Sequence, residues 1–243
     1  MLRVRKARMA MRDTWRCLWG PVLLRSAVAA GAVAGLIACG GEVAPTGSSP
    51  TSAASGTFGN GTGQRLTLEG SSALGWGAGA YGVVLAHGAA FDAASWNELA
   101  VRIAAQDSTV VAVEDISAQG IVNAVNYLRD EQGLTTVALV GGSLGADAIL
   151  RVTSAMPGLP DQLILLSPNV AQDGLGVSPK LFIASEGEPL VDVARELARS
   201  AAGDDNEALI IPGSAHAQNI FDTDQAEPVT QVILDRLAQF PGN

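Results

Sequence analysis

Residues 137–148 constrain the fold of this chain more than any other segment does. They begin with the apolar run Val-Ala-Leu-Val, continue through Gly141-x-Ser143-x-Gly145, and end in a helical pattern. This order predicts a strand that turns sharply into a helix and presents the Ser143 hydroxyl at the turn. The alternative is that Ser143 only caps the helix, because serine is favoured where helices begin.

From about residue 64 onward, short apolar runs alternate with longer amphipathic segments. This alternation predicts an α/β domain with a mostly parallel central sheet and helices on both faces. The predicted strands are residues 65–69, 82–86, 109–113, 136–140, 162–166, 181–184 and 208–211, with 75–79 as a candidate for one more. The predicted helices are residues 96–106, 121–132, 144–156, 191–202 and 228–240.

A serine hydroxyl is a weak nucleophile at neutral pH, so it needs a nearby base and a third group that orients this base. The chain has two histidines, His87 and His216. His216 follows an apolar run and a Pro-Gly turn, which places it on a loop at the end of a strand and makes it the predicted base. His87 ends an earlier apolar run and precedes Gly88, and we expect a structural role for it.

The orienting carboxylate is expected between the serine and the histidine in sequence, after another strand. Glu188 is the preferred candidate because it follows Gly187 in a tight turn and precedes a proline that would stop the strand. Glu186 and Asp192 are the alternatives. For each acid the competing interpretation is a solvated loop carboxylate, the common fate of exposed acidic residues.

Attack of a hydroxyl on a carbonyl group creates an oxyanion, which backbone N–H groups can stabilise by several kcal/mol. The candidate donors are the N–H groups of Leu144, directly after the serine, and of Ala89, just past His87-Gly88. Both side chains are apolar, so only the backbone of these two residues can act.

The order serine, acid, histidine, the turn around Ser143 and the His87-Gly88 pair together resemble the α/β-hydrolase superfamily, over roughly residues 66–240. The resemblance implies an α/β-hydrolase fold and a catalytic triad that includes His216. This superfamily more often has aspartate at the position of the acid. In this superfamily a lid often follows the strand that corresponds to residues 162–166. In this chain about fourteen residues separate that strand from the next one, which predicts a minimal cap or none and an open site.

The resemblance further implies a serine hydrolase of carboxylic esters with short or accessible acyl groups, acting through an acyl-enzyme on Ser143. A thioesterase, amidase or peptidase could use the same triad, because the turn fixes the nucleophile and not the acyl group. A non-catalytic surface-binding lipoprotein is the other alternative. The expected partner is a small-molecule ester, and this chemistry requires no cofactor. Two histidines far apart in the sequence, without paired acids at ligand spacing, predict no metal site.

Residues 1–38 have the features of an export signal, with basic residues ahead of an apolar stretch at 27–38 that is too short to span a bilayer comfortably. The end of this segment, Leu-Ile-Ala-Cys39-Gly, resembles a bacterial lipobox, which implies acylation of Cys39. Residues 39–63, rich in Gly, Ser, Thr and Pro, predict a flexible tether. Residues 64–243 then form a catalytic domain, and we expect an exported lipoprotein held at a lipid bilayer in the cell envelope.

The charge and cysteine content of the chain exclude several other classes of protein. Residues 1–38 hold seven of the 15 Lys and Arg and one of the 24 Asp and Glu, so the remainder carries 8 basic and 23 acidic side chains. Such an acidic domain is not expected to bind nucleic acid. The two cysteines, Cys17 and Cys39, lie at or before the predicted cleavage point, so we expect no disulfide and no cysteine chemistry in the domain. The sequence gives no basis for predicting an oligomeric state.

Overall fold

One twisted sheet organises the part of the chain that the computed structural model describes, residues 61–240. Within this range the eight strands are β1 Gln64–Leu68, β2 Ser71–Gly77, β3 Tyr81–Ala86, β4 Ser108–Val113, β5 Val137–Gly142, β6 Gln162–Leu166, β7 Lys180–Ser185 and β8 Asn206–Ile211. The predicted signal segment 1–38, the predicted lipidation site Cys39 and the predicted tether up to residue 60 lie outside the described residues.

The strand order in the sheet is β1-β2-β4-β3-β5-β6-β7-β8. β2 runs antiparallel to both of its neighbours, and the pairs from β4 through β3 to β8 are all parallel. The carboxyl ends of β3, β5, β6, β7 and β8 therefore meet at one edge of the sheet, where ligand sites of open α/β sheets lie. The predicted mostly parallel sheet is confirmed.

Helices cover both faces of the sheet, as expected. The α-helices within the described range are α1 Asn97–Ala104, α2 Ala118–Asn126, α3 Leu144–Ala155, α4 Val191–Ser200 and α5 Ala226–Gln239. One apolar core lies between the sheet and α1 and α5, and includes Trp96, Ile103 and Ile233. A second core lies on the other face under α2, α3 and α4, and includes Leu128 and Ile149. Neither helix nor strand forms between β6 and β7, which agrees with the expected lack of a cap.

Element boundaries differ from the predictions where local turns decide them. The strand expected at 75–79 is β2, and it begins earlier because Glu69 and Gly70 form a turn with φ of 47° and 88° that pairs it with β1. The helix expected from residue 121 begins at Ala118, since the Ser117 side chain accepts a hydrogen bond from the Gly120 N–H and caps it. Its final turn, Tyr127–Glu131, is a π-helix.

A buried lysine fixes the start of β7, the strand that leads to the candidate acid. The Lys180 side chain is fully buried, and its ammonium donates to the carbonyl oxygens of Gly176 at 2.8 Å, Ser178 at 2.6 Å and Ala202 at 2.9 Å. Burial lowers the pKa of Lys180 to about 8. These three hydrogen bonds offset part of the cost of burying the charge and tie the loops on both sides of β7 to its first residue.

Within residues 61–240, no helix combines the length and the apolar character needed to cross a bilayer.

Candidate active site

Three residues singled out from the sequence meet at the carboxyl edge of the sheet. Ser143 directly follows β5, Glu188 lies in the turn after β7, and His216 lies in the loop after β8. Since parallel strands all end at this edge, residues separated by 73 positions in sequence come into hydrogen-bond contact.

The backbone at Ser143 is held in an unusual conformation, with φ of 50° and ψ of −115°. Residues other than glycine rarely adopt such a positive φ, and it is retained only where the surrounding structure imposes it. The serine side chain makes no capping hydrogen bond to the helix that follows. The structure therefore does not support the interpretation of Ser143 as a simple helix cap.

The two glycines of the motif allow this turn to pack tightly. A Cβ atom on Gly145 would lie 2.2 Å from the carbonyl oxygen of Ala86, at the end of β3. A Cβ atom on Gly141 would lie 2.7 Å from the Ile149 side chain. Both positions exclude larger residues, because the start of α3 is pressed against the sheet on both sides of the serine.

A continuous chain of hydrogen bonds joins the three side chains. His216 Nδ1 lies 2.6 Å from Glu188 Oε2, and His216 Nε2 lies 2.9 Å from Ser143 Oγ. A carboxylate only accepts hydrogen bonds, so the histidine proton belongs on Nδ1, which leaves Nε2 free to accept the serine proton. The His216 side chain is 39 % exposed and the Glu188 side chain 2 %, which leaves the base open to solvent and the acid enclosed.

The buried carboxylate of Glu188 is satisfied by several donors. Its Oε1 accepts hydrogen bonds from the Ser185 N–H at 2.7 Å and from the Ser167 hydroxyl at 2.9 Å. The Ser167 oxygen also accepts the Ala217 N–H at 2.8 Å, so this residue links the acid to the loop that carries His216. These contacts offset the cost of burying a charge and leave Oε2 for the imidazole.

The structure separates the three candidate acids. Glu186 is exposed, and Asp192 is 89 % exposed and pairs with Arg195 at 2.6 Å. Of the three, Glu188 is the residue in contact with His216.

The two candidate oxyanion donors lie on either side of the serine. Leu144 is the first residue of α3, and neither its N–H nor that of Ala89 donates to another described residue. The loop that carries Ala89 comes close to the nucleophile, because a Cβ atom on Gly88 would lie 3.4 Å from Ser143 Cβ. The Gly88 N–H is already bound, at 2.6 Å, to the side-chain oxygen of Gln218.

Gln218 connects the loop of the base to the loop of Ala89. It is 3 % exposed, its Oε1 accepts the Gly88 N–H, and its Nε2 donates to the Ser95 hydroxyl at 2.6 Å. These contacts fix the peptide group between His87 and Gly88, which directly precedes the peptide group that carries the Ala89 N–H. Gln218 is thus placed to orient one of the candidate oxyanion donors.

For the ester hydrolysis that the sequence leads us to expect, Gln218→Leu should lower kcat by about 10- to 100-fold with little change in KM. The leucine leaves the Gly88 N–H without a partner, at a cost of about 1–3 kcal/mol, so that the loop reorients and the donor is misplaced. Steady-state kinetics on a folded variant, checked by circular dichroism, would measure this. The matched control is Gln231→Leu on the exposed face of α5. A folded Gln218→Leu variant with unchanged kcat would contradict the assignment.

His87 has the contacts of a structural residue. It is 7 % exposed, and its Nδ1 donates to the carbonyl oxygen of Gly88 at 2.8 Å. Its Nε2 lies 3.3 Å from the carbonyl oxygen of Glu114 and 3.8 Å from the carboxylate of that residue. The ring thus stabilises the turn after β3, where the loop that carries Ala89 begins.

A cavity of about 510 Å³ lies beside the site. Phe91 and Gln218, which both adjoin Gly88, form part of its wall, and Trp96 and Phe221 are two of its apolar lining residues. Ser143 and His216 do not line the cavity, which is therefore adjacent to the nucleophile and does not contain it. In the described part of the chain, no cluster of three or more His, Cys, Asp or Glu side chains could hold a metal ion.

Ser167 and Gln218 were not identified from the sequence. Ser167 has a positive φ of 47°, and it follows β6 directly, as Ser143 follows β5. A polar residue at the carboxyl end of a parallel strand is the signal that could have found it. Gln218 lies two residues after His216, but its partner Gly88 is 130 positions away, and no local pattern reveals that contact.

Comparison with solved structures identifies the fold. A dienelactone hydrolase from Anabaena variabilis is 16% identical, with a TM-score of 0.60 over 74% of this chain and 97% of that one. An esterase from Thermogutta terrifontis is 14% identical, with a TM-score of 0.59 over 74% and 100%. A thioesterase domain from the curacin biosynthetic pathway is 15% identical, with a TM-score of 0.52 over 71% and 98%. The chain has an α/β-hydrolase fold. No protein-family model and no curated protein sequence matches it.

Proposed function

We propose that this protein is a serine hydrolase of carboxylic esters with short or accessible acyl groups. The observation that carries the proposal is the unbroken chain of hydrogen bonds from Glu188 through His216 to the hydroxyl of Ser143. Nucleophile, base and orienting acid lie within hydrogen-bond reach of one another, which is the arrangement that activates a serine. An esterase and a dienelactone hydrolase share this fold, but the proposal is argued from the site, since one fold serves many functions.

In the acylation half of the proposed reaction, His216 Nε2 takes the proton of Ser143 as Oγ attacks the ester carbonyl carbon. The N–H groups of Leu144 and Ala89 stabilise the oxyanion that forms. The intermediate collapses when the bond from carbon to the alcohol oxygen breaks, and His216 gives its proton to the departing alcohol. Glu188 keeps the imidazole in the required tautomer and stabilises its protonated form.

In the deacylation half, water attacks the carbonyl carbon of the acyl-enzyme while His216 accepts its proton. The second tetrahedral intermediate breaks the bond between carbon and Ser143 Oγ, and the histidine proton returns to this oxygen. The carboxylic acid then leaves and the resting serine is restored.

The open surroundings of the serine favour small or extended substrates. No cap stands between β6 and β7, and the leucine directly after the serine, Leu144, is 43% exposed. The neighbouring cavity of about 510 Å³ offers apolar wall at Phe91 and Phe221 for a short acyl or alcohol group. The lining also includes the charged side chains of Glu98, Arg102 and Glu227, so a long acyl chain would lose part of the gain of about 0.8 kcal/mol per buried CH₂ group.

A panel of substrates with matched acyl groups tests the proposal. We expect the p-nitrophenyl esters of acetate and butyrate to be cleaved at least tenfold faster, as kcat/KM, than the ester of palmitate. An acetyl thioester and an acetyl amide, which carry the same acyl group as the first ester, separate ester cleavage from the other acyl transfers. A palmitate ester cleaved fastest would contradict the open site, and an amide or thioester cleaved fastest would contradict the ester assignment.

A further inference from the structure

A second buried carboxylate lies next to the nucleophile and has no part in the reaction described above. Asp147, in the first turn of α3, is 4 % exposed. Its Oδ1 accepts the backbone N–H of Asn169 at 2.9 Å, and its Oδ2 accepts the side-chain Nδ2–H of Asn169 at 2.9 Å. No ion pair among residues 61–240 involves this carboxylate.

Burying an unpaired carboxylate is costly, so the contacts that Asp147 makes are informative. The amino end of α3 stabilises its negative charge, as helix N-termini do. Both carboxylate oxygens are hydrogen-bonded to one residue, Asn169, in the segment after β6. These two hydrogen bonds hold the side-chain amide of Asn169 in a single orientation.

The held amide group is directed at the nucleophile. Asn169 Nδ2 lies 3.4 Å from Ser143 Oγ. The nitrogen of a side-chain amide carries two hydrogens, so Asn169 Nδ2 can donate one to Asp147 Oδ2 and the other to Ser143 Oγ. The serine oxygen therefore receives an N–H from Asn169 on one side and faces His216 Nε2 on the other.

We propose that Asn169, oriented by Asp147, is a catalytic residue that stabilises Ser143 Oγ as the leaving group of deacylation. The inference rests on the proposed function. When the second tetrahedral intermediate collapses, the bond between the acyl carbon and Oγ breaks and its electron pair moves onto Oγ. The Nδ2–H of Asn169 donates to this oxygen as charge develops, before the proton of His216 arrives.

The two half-reactions depend on this donor to different extents. An interaction accelerates a step only if it is stronger in the transition state than in the ground state. The hydroxyl oxygen of the resting enzyme already accepts the Asn169 N–H, so acylation gains little. The ester oxygen of the acyl-enzyme is a poorer acceptor, so the hydrogen bond strengthens as that ester breaks, and deacylation gains more.

The side chain of Asn169 can be removed without releasing its loop. The backbone N–H of Asn169 keeps its own hydrogen bond to Asp147 Oδ1, and this bond does not involve the side chain. Asn169→Leu, of similar size, and Asn169→Ser, which is smaller and polar, are therefore both expected to fold.

Stopped-flow kinetics with p-nitrophenyl acetate measure the two steps separately. For Asn169→Leu we expect deacylation to slow by about tenfold, the effect of one hydrogen bond, and acylation to change by less than about threefold. The variant should accumulate acetyl-enzyme in the steady state, visible by intact-mass spectrometry. Asn169→Ser should change the ratio of the two rates in the same direction.

Two further variants sharpen the test. Asp147→Asn places an NH₂ group opposite an N–H donor of Asn169, and we expect it to shift the ratio of the rates in the same direction. The control is Asn123→Leu, which removes an asparagine on α2 that contacts Gln119 and should leave the ratio unchanged.

The outcomes separate this inference from the proposed function. Equal slowing of both steps, or no change in a folded variant, would overturn the role of Asn169 while labelling of Ser143 by a fluorophosphonate still supports a serine hydrolase. If the native protein is not labelled at Ser143, the proposed function fails and this inference fails with it.

Discussion

Replacing Ser143 with alanine is expected to reduce ester hydrolysis by a factor on the order of 10⁵ or more. The substitution removes the oxygen that attacks the carbonyl carbon, and the chain of hydrogen bonds then ends at His216 Nε2 without a nucleophile. The activity left should be that of water attacking a bound ester beside the oxyanion donors. Turnover of p-nitrophenyl acetate, measured against the uncatalysed rate, gives the size of the loss.

A fluorophosphonate probe provides the second measurement on the Ser143→Ala variant. The native protein should take up one equivalent on the peptide that contains Ser143, and the variant should take up none. Ser200→Ala, an exposed serine at the end of α4, is the matched control and should behave as the native protein. Stoichiometric labelling at another serine would refute the assignment of the nucleophile.

Glu188→Gln is expected to lower kcat by about 10⁴-fold with little effect on folding. The glutamine oxygen can keep the hydrogen bonds from Ser185 and Ser167, which places its NH₂ group toward His216 Nδ1. An N–H that faces Nδ1 favours the tautomer with the proton on Nε2, and that nitrogen can then no longer accept the proton of Ser143. Steady-state kinetics and a thermal unfolding curve would test both parts of the expectation.

The chain offers a matched control two residues away from this acid. Glu186 is exposed, in the same turn, and Glu186→Gln makes the same chemical change without touching the imidazole. It should retain activity within about threefold of the native protein, as expected of a surface substitution away from the site. If Glu186→Gln instead loses activity and Glu188→Gln does not, the contact between Glu188 and His216 is not the functional one.

Much of the architecture was predictable because hydrophobic periodicity is a local property. Each buried parallel strand is a short apolar run, and each crossover helix has an apolar face, so the alternation of the two indicated the fold class. The start of β2 was misplaced because Ser71 and Ser72 are polar and not buried. They pair with β1 but lie beyond the pairing with β4, so burial imposes no apolar pattern on them. The predictions for residues 1–60 remain predictions.

The serine and the histidine could be singled out from the sequence because each stands in a distinctive local setting. A Gly-x-Ser-x-Gly turn after a strand is uncommon, and the chain has two histidines from which to choose. The acid was harder to assign, since Glu186, Glu188 and Asp192 share the same stretch of loop. The conformation of the turn after β7 decides which of the three acids contacts the imidazole. Hydrogen bonds from Ser167 and Ser185 to Glu188 stabilise that conformation.

The residues that orient the others could not be predicted. Gln218 and Asn169 belong to common amino-acid types, and nothing in their immediate sequence distinguishes them from solvated loop amides. Their roles arise from contacts across 130 and 26 positions, to Gly88 and to Ser143. Such contacts become visible only when the strand order is known.

The strand order also determines when the candidate site can be complete during folding. Ser143 follows β5, whereas His216 follows β8, and β8 is connected to β5 in the sheet only through β6 and β7. A polypeptide that is still being synthesised therefore lacks the contact between His216 and Ser143 until β8 has docked, however well its earlier segments have folded. In a refolding experiment turnover should lag behind the recovery of helical circular dichroism, because the hydrogen bond that completes the site joins residues 73 positions apart, whereas each helix forms from local contacts. Under the proposed function, the appearance of ester hydrolysis therefore reports the last stage of folding of this domain.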